Sequence, residues 1–187
     1  MWLNSCLLYT SYAFETCAKA FAQTEHPERV GRSMGILAEK AGISGMVGGQ
    51  AVDVELTGQP VSREQLDFIY RLKTGALLEA ALMIGAVLAG ATEGQVRQME
   101  QIAADIGMAF QIQDDILDVT STQEELGKPI GSDERNQKTT YVTLEGLDAA
   151  RAEVRRLSER AIASLETLPG DSTFFREFIR KLETRSH

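Results

Sequence analysis

The residues best suited to chemistry in this chain lie in one short run, Phe110-Gln111-Ile112-Gln113-Asp114-Asp115-Ile116-Leu117-Asp118. On a helix turning about 100° per residue, Gln111, Asp114, Asp115 and Asp118 fall within one arc of roughly 100°. Ala109, Ile112, Ile116 and Leu117 fall on the other side, which is suited to packing. The acidic side has no such use, because like charges at i,i+4 cost a helix about 0.2–0.5 kcal/mol per pair. Burial would raise that cost until a carboxylate took up a proton or a cation arrived. A cation is the simpler account. Asp114 and Asp118 stand one turn apart and can reach the same ion. Oxygen-only ligands suit Mg²⁺, which takes one or two carboxylates and completes its shell with water and phosphate. The alternative is an acidic helix face turned to solvent. Metal binding is favoured by the amide of Gln111 on the same arc. It is also favoured by the basic, glycine-containing stretch that follows, from Gly127-Lys128-Pro129 to Lys138.

The elements that must hold this run are helices. The 187 residues fit one domain. Hydrophobic residues make up 43%, aromatics only 6%, and there are 4 prolines, a balance that supplies a core and favours helix over sheet. A formal net charge of -8 argues against a nucleic-acid backbone as partner. It also means that an anionic substrate would need local basic groups or metal ions. Cys6 and Cys17 form neither a metal spacing nor a disulfide framework, which fits a reducing cytoplasm. Met1 to Thr10 has no basic segment of the secretory kind. The most apolar run, Gly75 to Ala91, is broken by Glu79 and is shorter than the ~20 residues a membrane span needs, so it predicts a buried core helix.

Taken in order, Ala13, Phe14, Cys17, Ala18 and Phe21 recur at helical spacing and predict a helix to about Gln23. Pro27 enters a second helix that runs to about Ala41, and Gly42 and Gly45 flank a break. Gly48 and Gly49 are costly in a helix, by about 1 kcal/mol each relative to Ala. They mark either a tight helix–helix crossing or a helix wall beside a ligand cavity, with Gln50 and Asp53 facing it. Ser62 to Gln65 reads as a capping box that opens a long helix to about Ala89. Within that helix, Lys73-Thr74-Gly75 suggests a kink that turns polar groups inward. From the triplet alone, a solvent-exposed Lys73 is the simpler reading. Gly90 ends the helix and Thr92 to Gln95 is a second capping box. The two long helices joined by this turn should lie antiparallel, which brings Lys73 and Gln111 to similar heights. Thr120 to Thr139 reads as a polar loop carrying Lys128, Gly131, Asp133, Arg135 and Lys138. After Tyr141, Asp148 is expected to cap a charged helix to about Leu168. Pro169-Gly170-Asp171 is a turn, and a last helix runs from Ser172 or Thr173 to near Thr184. Arg155-Arg156 and Glu159-Arg160 read as solvated faces.

Five pieces occur in one order: Gly-Gly-Gln-Ala-x-Asp at Gly48 to Asp53, Lys-Thr-Gly at Lys73 to Gly75, Phe-Gln-x-x-Asp-Asp-x-x-Asp at Phe110 to Asp118, Gly-Lys at Gly127-Lys128, and Lys-Thr-Thr-Tyr at Lys138 to Tyr141. The ordered set resembles the C-terminal portion of the trans-isoprenyl diphosphate synthases, the polyprenyl synthetase family, from roughly Phe14 onward. It is most similar to bacterial farnesyl/geranylgeranyl diphosphate synthases. The resemblance implies a single all-α domain of long antiparallel helices around a central cavity, of the isoprenoid synthase type and usually homodimeric. It implies Mg²⁺-dependent head-to-tail condensation of an allylic diphosphate with isopentenyl diphosphate to a short-chain product such as farnesyl diphosphate. By the same resemblance Asp114 and Asp118 would hold Mg²⁺, with Asp115 in support. Lys73, Lys128 and Lys138 would add charge to the diphosphate. Thr74 and Gln111 would present dipoles near the allylic cation, and Gln50 and Phe110 would contribute to substrate binding.

Family members carry a further Asp-Asp-x-x-Asp motif, followed by an Arg-Arg pair, upstream of the region that Phe14 begins. This sequence has no such motif, so the resemblance implies an N-terminally truncated member that is weak or inactive alone. Two other functions stay open: a non-catalytic subunit that docks on a full-length synthase through the helices around Gly75 to Ala91, and a terpene cyclase of the same fold. Lys-Thr-Gly and Gly-Lys, which belong to chain elongation in the family, argue against the cyclase.

Overall fold

Helix is the only regular structure among the described residues of the computed structural model, which are 12–120 and 138–185. Residues 12–20 form α1, which ends in a 3-10 turn, Phe21–Gln23. The others are α2 (Pro27–Ala41), α3 (Met46–Glu55), α4 (Arg63–Ile69), a π-helical turn (Tyr70–Gly75), α5 (Ala76–Leu88), α6 (Glu93–Thr120), α7 (Tyr141–Glu145), α8 (Leu147–Leu165) and α9 (Thr173–Thr184). The expected Gly127-Lys128 element, with Gly131, Asp133 and Arg135, lies outside the described residues, as do the first 11 residues.

Local chemistry explains where these helices begin. Pro27 occupies the first turn of α2, where its missing N–H costs nothing. Ser62 and Gln65 cap each other: the Ser62 amide donates to Gln65 Oε1 at 2.8 Å and the Gln65 amide donates to Ser62 Oγ at 3.3 Å. Thr92 and Gln95 repeat the arrangement at the start of α6. A third reciprocal cap, Thr140 with Thr143, opens α7 directly after the polar stretch. Asp148 is not the cap of α8: Gly146 holds that position at φ 88°, and Asp148 lies in the first turn, where its charge favours the helix dipole.

The long helix α6 is the axis of the molecule. Helix α5 lies antiparallel beside it after the short turn at Gly90, and α8 packs along another flank. Helix α2 lies antiparallel to α5, since Arg29 donates to the Leu88 carbonyl while Lys40 reaches Glu79. One core cluster joins Leu66, Ile69 and Tyr70 to Ile112, Ile116, Tyr141, Val154 and Leu157. A second, toward the start of α6, joins Ile102, Ile106, Ala161, Leu165 and Ile179. Ile112 has no exposed surface, and its burial contributes about 1.5–3 kcal/mol.

Helix backbones approach closely at two places. A Cβ on Gly49 would collide with the Lys73 nitrogen and lie 2.8 Å from Leu72 Cβ, so α3 crosses the π-turn with no room for a side chain. A Cβ on Gly107 would lie 3.0 Å from Gly75 Cα, which sets α6 equally close. The kink expected at Lys73-Thr74-Gly75 takes the form of that π-turn, whose extra residue per turn shifts the helix phase.

Two expectations are corrected. The charged face of α8 is not simply solvated, because Arg160 grips both oxygens of Asp105, a residue 2% exposed. The run from Gly75 to Ala91 is not wholly buried: Ala76, Glu79, Ala80 and Val87 are, while Leu77 and Leu88 are exposed. Glu79 turns inward to Lys40, which also bonds Glu100. Burial works against the Lys40 ammonium, yet the hydrogen bonds it donates to Glu100 and Glu79 outweigh it and raise its pKa. That contribution to stability is therefore present at neutral pH and is lost only as pH rises through the raised lysine value. No helix among the described residues is long and apolar enough to cross a membrane.

Candidate active site

The acidic run occupies the last two and a half turns of α6, and its carboxylates have different surroundings. Asp115 is 7% exposed and points into the core. Its Oδ2 accepts the Tyr70 hydroxyl at 2.6 Å and the Tyr141 backbone N–H at 2.7 Å. This carboxylate thus ties α6 to the π-turn on one side and to the start of α7 on the other. Asp118, one turn beyond Asp114, is 4% exposed. Asp114 is more open, with its side chain 46% exposed, and it pairs with Arg185. On the arc read from the sequence, Asp115 and Asp118 are buried while Gln111 and Asp114 are half-buried, so it is not a fully solvated face. Gln111 and Phe110 are half-buried on the same stretch.

Lys73 reaches the same end of the bundle. The Gly75–Gly107 approach and the Tyr70–Asp115 hydrogen bond bracket its level on α6. Because the π-turn shifts the phase, Tyr70 faces α6 while Lys73 faces α3, where its Nζ donates to Asp53 Oδ2 at 2.6 Å. The Lys73 side chain keeps 35% of its surface exposed, so the exposed-lysine reading holds in part. Thr74 is half-buried beside it.

Asp53 also lines a cavity of about 190 Å³ together with Thr57, Leu66, Tyr70, Lys138 and Thr139. Lys138 is exposed at its rim. Gln50 does not join this group; it lies exposed on α3. Of the two readings of the double glycine, the tight crossing holds at Gly49, and of the two residues expected to face a cavity Asp53 does so while Gln50 does not. Next to the cavity, the Arg63 guanidinium stacks on the Tyr141 ring at 4.1 Å. Burial, opposed by Arg63, pushes the Tyr141 phenol above its ordinary pKa, so it stays protonated at neutral pH.

Three contributors escaped the sequence reading as site residues. Tyr70 carries no signal beyond standing three positions before Lys73. Tyr141 acts through its backbone N–H, which no side-chain pattern reveals. Arg185 follows the last helix and looks like an ordinary surface charge until its partners are seen.

The donor set suits magnesium in kind: oxygen ligands, with Asp114 and Asp118 one turn apart. No three His, Cys, Asp or Glu side chains converge on one point among the described residues. Magnesium does not require three, since it binds through one or two carboxylates plus substrate phosphate and water. The residues therefore fit an ion shared with a phosphate ligand better than one caged by protein alone.

The chain is similar to known proteins. A family model described as polyprenyl synthetase matches residues 3–170. A farnesyl diphosphate synthase of Geobacillus stearothermophilus is 36% identical over 177 residues, covering 95% of this chain and 60% of that protein. A chloroplastic geranylgeranyl pyrophosphate synthase of Capsicum annuum is 41% identical over 157 residues, covering 83% of this chain and 42% of its own length. Among solved structures, a geranyltransferase of Helicobacter pylori complexed with magnesium and isoprenyl diphosphate superposes with a TM-score of 0.75 at 31% identity, over 92% of this chain and 55% of that one. The chain thus spans about half the length of the relatives it matches, and over that span its helices follow the isoprenoid synthase fold. From the match over residues 3–170 and these likenesses, the chain belongs to the polyprenyl synthetase family.

Proposed function

We propose that this chain forms the diphosphate-and-metal side of a short-chain prenyltransferase, which joins an allylic diphosphate to isopentenyl diphosphate head to tail. The observation that carries the reading is the acidic turn of α6, with Asp115 and Asp118 buried, set level with Lys73 on the closely packed π-turn. In this reaction the allylic carbon–oxygen bond breaks and its electron pair leaves with diphosphate. The isopentenyl double bond then forms the new carbon–carbon bond, and a proton is lost. Bound Mg²⁺ would supply Lewis-acid charge at the leaving diphosphate.

Each residue then has a task. Asp114 and Asp118 hold the ion, while Asp115 fixes the helix through Tyr70 and Tyr141. Lys73 and Lys138 bring positive charge to the diphosphate, as would Lys128 from outside the described residues. Asp53 holds Lys73 until the phosphate competes for it. Thr74 and Gln111 present dipoles near the allylic carbon without adding a nucleophile strong enough to trap it. The sequence contains a single Asp-Asp-x-x-Asp. Alone, the chain is therefore expected to bind Mg²⁺-diphosphate weakly and to turn over slowly. A cytoplasmic homodimer belongs to the same reading, and sedimentation of the purified chain checks the dimer.

Calorimetric titration of pyrophosphate in the presence of Mg²⁺ tests the site. Asp114→Ala and Asp118→Ala are each expected to lower affinity by roughly tenfold or more, as loss of metal-site residues commonly does. Lys73→Met is expected to weaken it about fivefold, on the scale of one partly exposed charge contact. Binding that is unchanged in all three variants would remove the metal–diphosphate reading. The exposed stripe Leu77, Ala81 and Leu88 on α5 favours a second reading, a subunit that docks on a full-length synthase. Capture of a purified full-length synthase, abolished by Leu77→Asp, would support it.

A further inference from the structure

Arg185 makes more contacts to the acidic run than any role as a surface charge requires. Its Nη2 donates to Asp114 Oδ1 at 2.8 Å and to the Phe110 carbonyl at 3.2 Å. The guanidinium stacks on the Phe110 ring at 4.1 Å. Its own carbonyl accepts from Gln113 Nε2 at 3.4 Å. The side chain is only 18% exposed, and its Nε is buried with no hydrogen-bond partner. The residue after α9 is thus fastened to the first turn of the acidic run through side chain and backbone alike. The fastening is incomplete, since a buried unpaired donor is costly and favours release.

The occupied oxygen belongs to one of the carboxylates assigned to the metal. A guanidinium and a divalent cation repel each other, and Asp114 cannot serve both at full strength. We propose that Arg185 is a built-in counter-ion for Asp114, one that stabilises the acidic turn without metal and must leave before a divalent cation settles there. This rests on the metal reading given above and adds to it a threshold. The apparent metal affinity is the intrinsic one reduced by the fraction of chains in which Arg185 has let go. The planar stack on Phe110 makes arginine suitable for this, because it holds the cation over the helix while spending only one N–H on Asp114.

The test uses the whole chain and Mn²⁺ as probe, with free Mn²⁺ followed by electron paramagnetic resonance. Arg185→Ala and Arg185→Gln are each expected to bind Mn²⁺ roughly three- to tenfold more tightly than the parent, the scale of one partly exposed charge-assisted pair. In an Asp114→Ala background the same changes at Arg185 are expected to have no effect on Mn²⁺. Circular dichroism establishes that each variant keeps its helices. Asp114-dependent binding that is equal or weaker in both Arg185 variants overturns the counter-ion role and leaves the metal site standing. Absence of Asp114-dependent Mn²⁺ binding from parent and variants alike overturns both.

Discussion

Asp115→Ala is expected to destabilise the chain by about 3–5 kcal/mol, because hydrogen bonds to a buried charge contribute about 1.5–3 kcal/mol each and two donors would lose this acceptor. Those donors are the Tyr70 hydroxyl and the Tyr141 amide, both held at Oδ2 of a carboxylate only 7% exposed. Asp115→Asn keeps an acceptor oxygen in place and loses only the charge, so about 1–2 kcal/mol is expected. Urea denaturation of the two variants and the parent measures both values. Equal losses for Ala and Asn would show that the acceptor geometry is not what matters. The pair also separates support from ligation. If Asp115 works by anchoring the helix, Asp115→Asn retains Mn²⁺ affinity within about threefold, whereas a lost metal contact costs on the order of tenfold or more. Asp115→Ala is expected to weaken pyrophosphate binding as well, because the Tyr141 anchor sets the position of Lys138 three residues earlier.

Gly49→Val is expected to cost about 3 kcal/mol, at the upper end of what overpacking usually does. The obstruction is backbone and a side-chain root, not a flexible tip: the Lys73 nitrogen and Leu72 Cβ, the latter 2.8 Å away. Neither can yield without moving the π-turn or α3. The same displacement separates Asp53 from Lys73, now 2.6 Å apart, so pyrophosphate affinity is expected to fall with stability. Gly85→Ala provides the contrast. Nothing lies within 4 Å of a Cβ there, and the site is exposed within α5. A gain of about 0.5–1 kcal/mol is expected, from the lower entropy of the unfolded chain and the better helix propensity of alanine. A Gly49→Val melting temperature near that of the parent would mean that α3 is free to slide, and the crossing would not be what positions Asp53.

What the sequence made legible was local. Ser62 with Gln65 and Thr92 with Gln95 announce their helices, because each cap is a contact between residues three apart. Pro27, Gly90 and the Pro169-Gly170 turn mark boundaries for the same reason. The wheel placed Ile112, Ile116 and Leu117 inside correctly. It could not say that Asp115 would join them, since the partners that make its burial tolerable lie 45 residues earlier and 26 later. Lys-Thr-Gly pointed to an irregularity, but the form of that irregularity depends on Gly49 and Gly107 pressing from two sides. Arg160 looked solvated because its carboxylate, Asp105, lies 55 residues away, and Arg185 drew no reading because Asp114 lies 71 residues away. The order of motifs supplied what periodicity lacked, which is why the family was readable while the wiring of the site was not.

The π-turn has a consequence for how this stretch of chain can change over time. A residue inserted into a helix advances everything after it by about 100°. Here Tyr70 must address α6 and Lys73 must address α3, while Gly75 still lies flat against Gly107. Deleting one residue between Tyr70 and Gly75 would yield a smoother helix and rotate all of α5 out of step, swinging Glu79, one turn further on, away from Lys40. A one-residue change of length in this segment is therefore expected to disturb the bundle more than a single exposed substitution does.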